Sequence, residues 1–257
     1  MADYVLSEAD HKFISSRTWE VAVLPFGATE PHNYHMPYGT DVYQCDEIGR
    51  RAVGYAFERG ANVLLLPTIP FGVNTNHLEL KGALPLSVTP TTLLAILSDL
   101  TEALERRGLK KLVLLNGHGG NELKPLMRQL HHQRKLFICL CDWFRMIADQ
   151  SRQIMTHAGE HADEMETALG LAFFPEFMKP LSQAGPGVIH RTKIDAINKG
   201  WISITRPWHL ATDDTGMGNP HEATAEKGKK LMDVITDRLG NFLIDLAKLP
   251  MNERFPY

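Results

Sequence analysis

Cysteine is scarce in this chain, with 3 residues among 257. This low and odd number argues against the disulfide framework of small secreted proteins and favours a reducing compartment, so we expect a cytoplasmic protein. No apolar run reaches the ~18 residues that a membrane-spanning helix requires, so no membrane partner is expected. The first residues also lack the basic segment and apolar stretch of a secretory signal, and none is expected.

Neither sign of charge dominates, because 27 Lys and Arg face 30 Asp and Glu, for a formal net charge of -3. Such a balance creates no strong field for nucleic acid or an anionic membrane, so neither is expected as a partner. The chain is 44% hydrophobic and 22% charged, as an ordinary globular protein is. Its length suits one α/β domain, and no linker or repeat interrupts it. We therefore expect a single domain over residues 1–257.

Short apolar runs alternate with longer helical segments along the chain. Turn residues and periodicity mark their ends. The pattern predicts strands at 21–26, 62–66, 112–115 and 136–141, helices at 42–59, 90–107, 121–134 and 222–246, and loops with short strands over 175–220.

The predicted strands show no alternation of polar and apolar residues, which is typical of strands buried on both faces. Strands of this kind separated by helices predict a Rossmann-like α/β fold, with a mainly parallel sheet and helices on both faces. Ligands of such folds bind at the carboxyl ends of the strands. Chemistry is therefore expected just after Phe26, Leu66, Leu115 and Cys141.

The first polar cluster, residues 30–41, follows the first predicted strand. Glu30 and His32 are two residues apart, so in extended backbone they project to the same side. Carboxylate and imidazole ligands suit zinc, manganese or iron. Asp41 follows a turn at Gly39, and its two oxygens could bridge two metal ions. The alternative is a polar loop in which Asp41 is the N-cap of the next helix.

The second cluster is the segment N-G-H-G-G-N at residues 116–121, directly after the third predicted strand. Glycines on both sides let the backbone approach closely and leave His118 free to point into a cleft. A phosphate-binding glycine loop is the alternative. It is weaker, because the segment has neither a GxGxxG pattern nor a following Walker lysine.

The third cluster, residues 160–167, holds four acids and a histidine before an apolar stretch. Asp163 and Glu166 have the spacing of a capping box, so a purely structural role is open beside a catalytic one. In one continuous helix His161 and Glu166 would lie roughly 140° apart. They can converge only if His161 lies in the loop and the helix begins near Asp163.

These clusters together resemble a known family. Residues 30–41 are similar to the E-x-H-x-x-H-x-P-x-x-x-D signature of the creatininase (creatinine amidohydrolase) family, and 116–121 to its NGHGGN loop. Residues 160–167 resemble its E-H-A-G-x-x-E-T segment, and 216–228 its C-terminal G-x-P…A-T-x-E-K-G region. The four motifs occur in the family's order. The resemblance implies a Rossmann-like fold, two divalent metal ions and frequent assembly as a homohexamer.

The resemblance also implies roles for individual residues. Asp163 replaces a glycine of the motif, and Gly120 stands where creatininase itself has a glutamate ligand. The loss of that glutamate argues against creatinine as substrate, and we expect Glu166 to replace it. The implied metal ligands are Glu30, His32, Asp41, His118 and Glu166, with Asp41 as the bridge, and the implied catalytic residues are His161 and the preceding Glu160.

We therefore expect a metal-dependent hydrolase that cleaves a C–N bond in an amide, lactam or formamide of a small polar molecule. A water activated by the metal would attack the carbonyl carbon. His161 would pass a proton to the leaving nitrogen, and Glu160 would orient or charge that imidazole. Two alternatives stay open. The same centre could cleave a C–C or C–O bond of a cyclic keto-sugar, or the chain could be a non-catalytic homologue that binds metal or ligand.

Further side chains are candidates for contact with the substrate. His35 could also support a ligand or lie in the core, and His77 follows the second predicted strand. Tryptophans in the irregular 175–220 region could form a lid, although aromatic residues in a long loop more often serve packing. The expected substrate-binding residues are His35, His77, Asn121 and Trp208.

Overall fold

The computed structural model describes residues 2–257 and is built on a parallel sheet. Its 4 strands lie in the order β2-β1-β3-β4, and the pairings between neighbours are all parallel. The predicted strands are confirmed, with ends that differ by at most one residue. Their bounds are Val21–Phe26 (β1), Val63–Leu65 (β2), Lys111–Asn116 (β3) and Phe137–Asp142 (β4).

Helices follow each strand, as the periodicity predicted, and shorter helices fill the later part of the chain. The α-helices are His11–Ser15 (α1), Thr40–Glu58 (α2), Pro90–Arg106 (α3), Leu123–His131 (α4), Trp143–Met146 (α5), Ala148–Ile154 (α6), Glu164–Phe173 (α7), Asp195–Asn198 (α8), Trp208–Ala211 (α9) and Ala225–Lys248 (α10), and the 3-10 helices are Thr75–His77, Pro175–Phe177 and Leu181–Gln183.

The sheet buries both of its faces, because successive side chains of a strand point in opposite directions. On β1, Val21 and Val23 pack into one cluster with α2, α7 and α10. Ala22 and Leu24 pack into the other cluster with α3 and α4. This three-layer arrangement confirms the predicted α/β fold with helices on both faces.

The strand order reverses direction at β1, since β2 lies on one side of it and β3 on the other. Phe26 at the end of β1 is opposite Asn116 at the end of β3. The two loops that leave these strands therefore start side by side. In open parallel sheets, such a reversal leaves a crevice at the carboxyl ends of the strands. The fold thus places residues 27–41 and 117–121 around one crevice.

Several helix starts differ from the predictions. Helix α4 begins at Leu123 and α10 at Ala225, later than the sequence pattern indicated. Helix α2 begins earlier and places Asp41 in its first turn, while Gly39 is the N-cap. The interpretation of Asp41 as an N-cap is therefore wrong. Asp163 does cap α7, because its carboxylate accepts a hydrogen bond from the Glu166 amide at 3.0 Å.

Within the described residues, 175–220 contain short helices and loops but none of the expected short strands. Side chains satisfy part of this backbone in place of a sheet ladder. The Asp214 carboxylate accepts hydrogen bonds from the amides of Gly187 and Gly216, and the Asn33 amide oxygen accepts one from Gly185. No helix among residues 2–257 is long and apolar enough to cross a membrane.

Candidate metal centre

The predicted ligands come together at the crevice. Glu30 and His32 lie in the loop after β1, and Asp41 lies in the first turn of α2. His118 follows β3, and Glu166 lies in the first turn of α7. All of them are buried, with exposed fractions between 0% and 8%. Buried carboxylates and imidazoles are costly to desolvate unless they are paired or bind a cation, so this cluster is a candidate functional site.

The two oxygens of Asp41 face different histidines. Oδ1 lies 3.1 Å from His32 Nε2, and Oδ2 lies 3.3 Å from His118 Nδ1. On the His118 side, the same Nδ1 is 2.9 Å from Glu30 Oε1. On the His32 side, Nε2 is 3.8 Å from Glu166 Oε2. Asp41 therefore stands between two sets of nitrogen and oxygen donors.

Backbone carbonyls orient the imidazole rings. Nδ1 of His32 lies 3.0 Å from the Glu30 carbonyl oxygen, and Nε2 of His118 lies 3.2 Å from the Val73 carbonyl oxygen. A carbonyl oxygen only accepts, so these nitrogens donate and carry hydrogen. The opposite nitrogen of each ring then faces the carboxylates. This arrangement is typical of histidines that ligate metal ions.

The donor atoms fit a metal ion. Three sets could hold one, and within each set the atoms lie within 4.8 Å of one another. Neither oxygen of Glu30 has a hydrogen-bond partner although both are buried, and the same is true of Oδ2 of Asp41. Their close approaches to imidazole nitrogens lack hydrogen-bond geometry. Mixed oxygen and nitrogen donors suit a divalent transition metal. The sets are Glu30, His32 and His161; Glu30, Asp41 and His118; and His32, Asp41 and Glu166.

The carboxylates create a field that attracts positive charge. Burial alone would lower the pKa of His118, but Glu30 and Asp41 hold it well above its usual value. A metal cation would take the place of that proton. Burial raises the pKa of Glu166 to about 8 against the attraction of His32, and the negative charge of Asp41 adds to the increase. A nearby cation would stabilise the ionised form of Glu166.

His161 lies in the loop before α7, on the same side of the crevice as the ligands. Its Nε2 donates to the Pro31 carbonyl oxygen at 2.9 Å, which leaves Nδ1 facing Glu30 Oε1 at 3.7 Å. Burial, together with the neighbouring His32, lowers the pKa of His161 to about 3. The ring is therefore neutral, with a free lone pair on Nδ1.

The Glu160 side chain points away from the His161 ring. The backbone at His161 is extended and bridges to Met217, so consecutive side chains project to opposite sides. The Glu160 carboxylate pairs with Arg206 at 2.9 Å and lies exposed in the crevice. The Pro31 carbonyl, and not Glu160, holds the His161 ring. The expected orienting contact from Glu160 is therefore absent from the described residues.

Trp208 is the one expected substrate-binding residue among those that line the cavity at the crevice. Its ring meets His161 edge-on, with 4.8 Å between the ring centroids. His35, His77 and Asn121 are not among the residues that line the cavities reaching the cluster. Their side chains lie against protein neighbours instead.

Each of those three side chains has a structural partner. His35 is fully buried and its Nε2 lies 2.9 Å from the Thr167 hydroxyl. His77 Nδ1 lies 2.7 Å from Glu30 Oε2, so His77 supports a predicted ligand. The Asn121 side chain bonds Val73, Gly27 and Asn116, which satisfies both ends of its amide. Of these three residues, His77 is the one that contacts a predicted ligand.

Gly120, at the position of the missing glutamate, has no room for a side chain. A Cβ there would lie 2.4 Å from His118 Nε2 and 2.6 Å from the Val73 carbonyl oxygen. The hydrogen bond between His118 and Val73 therefore depends on glycine at this position. Glu166 approaches His32 from α7 on the other side of the centre.

Sequence reasoning missed three contributors to the site. The carbonyl groups of Val73 and Pro31 carry no side-chain signal, so no motif could have revealed them. Arg206 lies in an irregular segment without a recognisable pattern, and it reaches the crevice only because that segment folds back to it. The bridge between His161 and Met217 could have been anticipated, since Met217 lies within a motif that resembled the family.

Known proteins resemble this chain along most of its length. A 3-dehydro-scyllo-inosose hydrolase of Thermotoga maritima is 27% identical over 264 residues, which cover 92% of this chain and 79% of the relative. A mycofactocin precursor peptide peptidase of Mycobacterium ulcerans is 25% identical over 229 residues, which cover 86% of this chain and 83% of the relative.

Solved structures share the fold. A Bacteroides fragilis protein, provisionally assigned as a creatinine amidohydrolase, has a TM-score of 0.90 and 32% identity, covering 98% of this chain and all (100%) of that one. A mutant creatininase of Zn-Zn type and a manganese creatininase have TM-scores of 0.78 and 0.76. At 20% and 19% identity over 96% of this chain and 99% of theirs, these two show the fold alone.

The family model described as creatinine amidohydrolase matches residues 8–243. That range includes every residue of the candidate centre. The chain therefore belongs to the creatininase family, and it is a metal-dependent hydrolase.

Proposed function

We propose that the protein hydrolyses a C–N bond of an amide, lactam or formamide with two divalent metal ions at the crevice. The observation that carries the proposal is the position of Asp41, whose two oxygens face separate donor sets. A carboxylate that faces two sets can bridge two ions about 3.5–4 Å apart. Glu30 and His118 complete one set, and His32 and Glu166 complete the other.

The donor chemistry accepts zinc, manganese or iron, because carboxylate and imidazole ligands suit all three. When bound, such ions lower the pKa of a water molecule and polarise a carbonyl oxygen. The buried carboxylates of Glu30 and Asp41 would hold this charge in place, and the carbonyl of Val73 fixes the ring of His118 that would ligate it. Glu166 takes the place of the ligand that Gly120 lacks.

His161 is the proposed proton carrier. Its neutral ring presents Nδ1 to the cluster, and the Pro31 carbonyl prevents the ring from turning. His161 accepts the proton that the attacking water loses and delivers it to the leaving nitrogen. The C–N bond breaks, oxygen from water joins the carbonyl carbon, and the products are an acid and an amine. Trp208 packs edge-on against this ring.

Metal analysis followed by an activity screen tests the proposal. Protein freed of metal by a chelator is reloaded with zinc, manganese or iron and assayed against amides, lactams and formamides. We expect about two ions per chain and hydrolysis of at least one substrate class that stops again on chelation. Fully loaded protein that hydrolyses none of them would contradict the proposal and favour a non-catalytic homologue.

Hydrolysis of a cyclic keto-sugar is the second candidate. It is favoured by the relative from Thermotoga maritima, a 3-dehydro-scyllo-inosose hydrolase, which is similar over 92% of this chain. The same centre would then break a C–C or C–O bond. Product analysis separates the two candidates, because a keto-sugar releases a sugar acid and no amine.

Four broader properties belong to the same proposal. A homohexamer is supported by family membership and by exposed apolar side chains on residues 188–210, of which Trp201 is 72% exposed. A cytoplasmic location is supported by three free cysteines. One domain over residues 1–257 is supported by two core clusters that share the same strands. A small molecule is the proposed binding partner.

A further inference from the structure

Asn33 directly follows the predicted ligand His32 and is 8% exposed. Its φ of 53° lies in the left-handed region, which asparagine adopts more readily than most other residues. Oδ1 accepts hydrogen bonds from the amides of Tyr34 and Gly185 at 2.6 and 2.8 Å, and Nδ2 donates to the Gly185 carbonyl at 3.2 Å. The loop that carries the ligands is therefore tied to a residue 152 positions later in the chain.

Asn33 also contacts residues 215–216, which belong to the irregular part of the chain. Its backbone amide donates a hydrogen bond to the Thr215 hydroxyl at 2.8 Å. Its side chain lies close against Gly216, because a Cβ there would be 2.6 Å from Nδ2 of Asn33. One asparagine therefore holds two segments of the irregular region against the ligand loop.

The contact at residues 215–216 continues to His161 through Met217. The Met217 carbonyl oxygen accepts hydrogen bonds from the amides of Glu160 and His161 at 2.7 and 3.3 Å, and the Met217 amide donates to the His161 carbonyl at 2.8 Å. Met217 is fully buried, which protects these bonds from water. The backbone of His161 is thus held by Met217, while its ring is held by the Pro31 carbonyl. Both contacts lead back to residues 31–33.

We propose that Asn33 is a positioning residue, which sets the distance between His161 and the predicted metal ligands by holding residues 215–217 in place. This inference rests on the proposed role of His161 as proton carrier. The rings of His161 and His32 lie 4.1 Å apart between centroids, and Nδ1 of His161 lies 3.7 Å from Glu30 Oε1. Proton transfer requires a reach of ~2.6–3.2 Å, so a displacement of about 1 Å lowers the rate by as much as about 100-fold.

Hydrogen–deuterium exchange of the manganese-loaded protein tests the link without relying on turnover. Asn33→Gly removes the side-chain bonds and keeps the backbone conformation, since glycine adopts positive φ without cost. We expect faster exchange in this variant at the amides of Glu160, His161 and Met217, because the segment that protects them has lost its attachment. Mass spectrometry of the peptides that contain these residues measures the change.

Asn198→Gly is the matched control. Asn198 is exposed in the same irregular region, and its side chain bonds the amide, hydroxyl and carbonyl groups of Thr192. Exchange at Glu160 and His161 should be the same in this variant as in the unaltered protein. Gly216→Ala disturbs the Asn33 contact from the opposite side and should repeat the effect of Asn33→Gly, which keeps the test decisive if one variant folds poorly.

A double-mutant cycle distinguishes positioning of His161 from a general structural role. With a substrate from the activity screen, we expect Asn33→Gly to lower kcat by about 10–100-fold while the metal content stays the same. In the His161→Ala background the same substitution should lower kcat by less than about twofold, because the group that it positions is already absent. A general structural role would lower kcat equally in both backgrounds.

The inference is overturned if the amides of Glu160 and His161 keep their protection in both Asn33→Gly and Gly216→Ala. It is equally overturned if Asn33→Gly lowers kcat by the same factor with and without His161. Failure of the proposed function has a different result. Protein that hydrolyses no substrate loses the proposed function, and the exchange measurement alone then decides whether Asn33 holds the segment that fixes His161.

Discussion

Asp41 joins the two donor sets of the centre, since each of its oxygens faces a different histidine. Asp41→Asn replaces one oxygen by an NH₂ group, which cannot ligate a cation. We expect Asp41→Asn to retain less metal than Glu166→Gln, because Glu166 belongs to only one set. Mass-spectrometric metal analysis after dialysis measures both variants. Equal retention of two ions by Asp41→Asn and the unaltered protein would exclude a bridging role.

His161 is close enough to the ligands to be one of them, so its proposed role needs a test that distinguishes proton transfer from ligation. We expect His161→Ala to retain its metal and to lose turnover by about 10²–10⁴-fold, as removal of a general acid–base does. Metal content and kcat are measured on the same preparation. Loss of a metal ion in this variant would make His161 a ligand, and full activity would remove it from the mechanism.

Gly120 and the adjacent Gly119 differ in the room that each would leave for a side chain near His118. A Cβ at Gly120 would meet His118 Nε2 at 2.4 Å, whereas nothing lies within 4 Å of a Cβ at Gly119. We expect Gly120→Ala to break the bond to Val73 and to weaken metal binding by about 10–100-fold. Gly119→Ala should bind metal as the unaltered protein does. Competition with a fluorescent chelator measures both affinities, and unchanged affinity in Gly120→Ala would contradict the role of that bond.

At the scale of the elements, the C-terminal motif acts through helix packing. Lys227 in the first turns of α10 pairs with the buried Glu164 at the start of α7, and Thr224 caps α10. Gly228 brings the two helices together, because a Cβ there would lie 2.0 Å from the Ala168 carbonyl oxygen. The motif therefore holds α7, and with it Glu166, against the rest of the fold.

Replacing Gly228 with alanine would force the backbones of α7 and α10 apart where the two helices cross. We expect Gly228→Ala to lower the free energy of unfolding by about 1–3 kcal/mol, as overpacking does. Gly54→Ala on α2 is the control, since its Cβ would meet the hydroxyl end of the Tyr4 side chain, which can move. Helix propensity favours alanine at both positions. Urea unfolding measures the free energy of unfolding of both variants. Equal midpoints would contradict the tight contact between α7 and α10 at Gly228.

At the scale of the whole molecule, residues 188–210 present apolar side chains to solvent, including Trp201, Ile202 and Leu210. Patches of this kind commonly mark an interface between proteins. We expect Trp201→Glu to convert the proposed hexamer into smaller species, because a buried unpaired carboxylate is costly. Light scattering after size-exclusion chromatography measures the mass. Phe242→Glu, at an exposed position of α10 outside this segment, should leave the mass unchanged. An unaltered hexamer in Trp201→Glu would place the interface elsewhere.

Much of the fold followed from local pattern. Each strand of the sheet is an apolar run without polar alternation, and that pattern arises wherever both faces of a strand are buried. Residues 30–41 and 116–121 could be placed at one crevice because parallel strands end on the same edge. The start of α7 at Glu164 was anticipated from the capping spacing, and it leaves His161 in the loop where it can face the cluster.

The amino-acid sequence by itself determined the α/β fold and the residue types that meet at the crevice, since both depend on periodicity and spacing along short segments. Only the tertiary structure decided which partner each side chain has. The Val73 carbonyl that holds His118 lies 45 residues away in the chain, and the Pro31 carbonyl that holds His161 lies 130 residues away. Backbone carbonyls are the same in every residue, so contacts of this kind leave no trace in sequence. The direction of Glu160 and the two cavities depend in the same way on segments that meet only when the chain has folded.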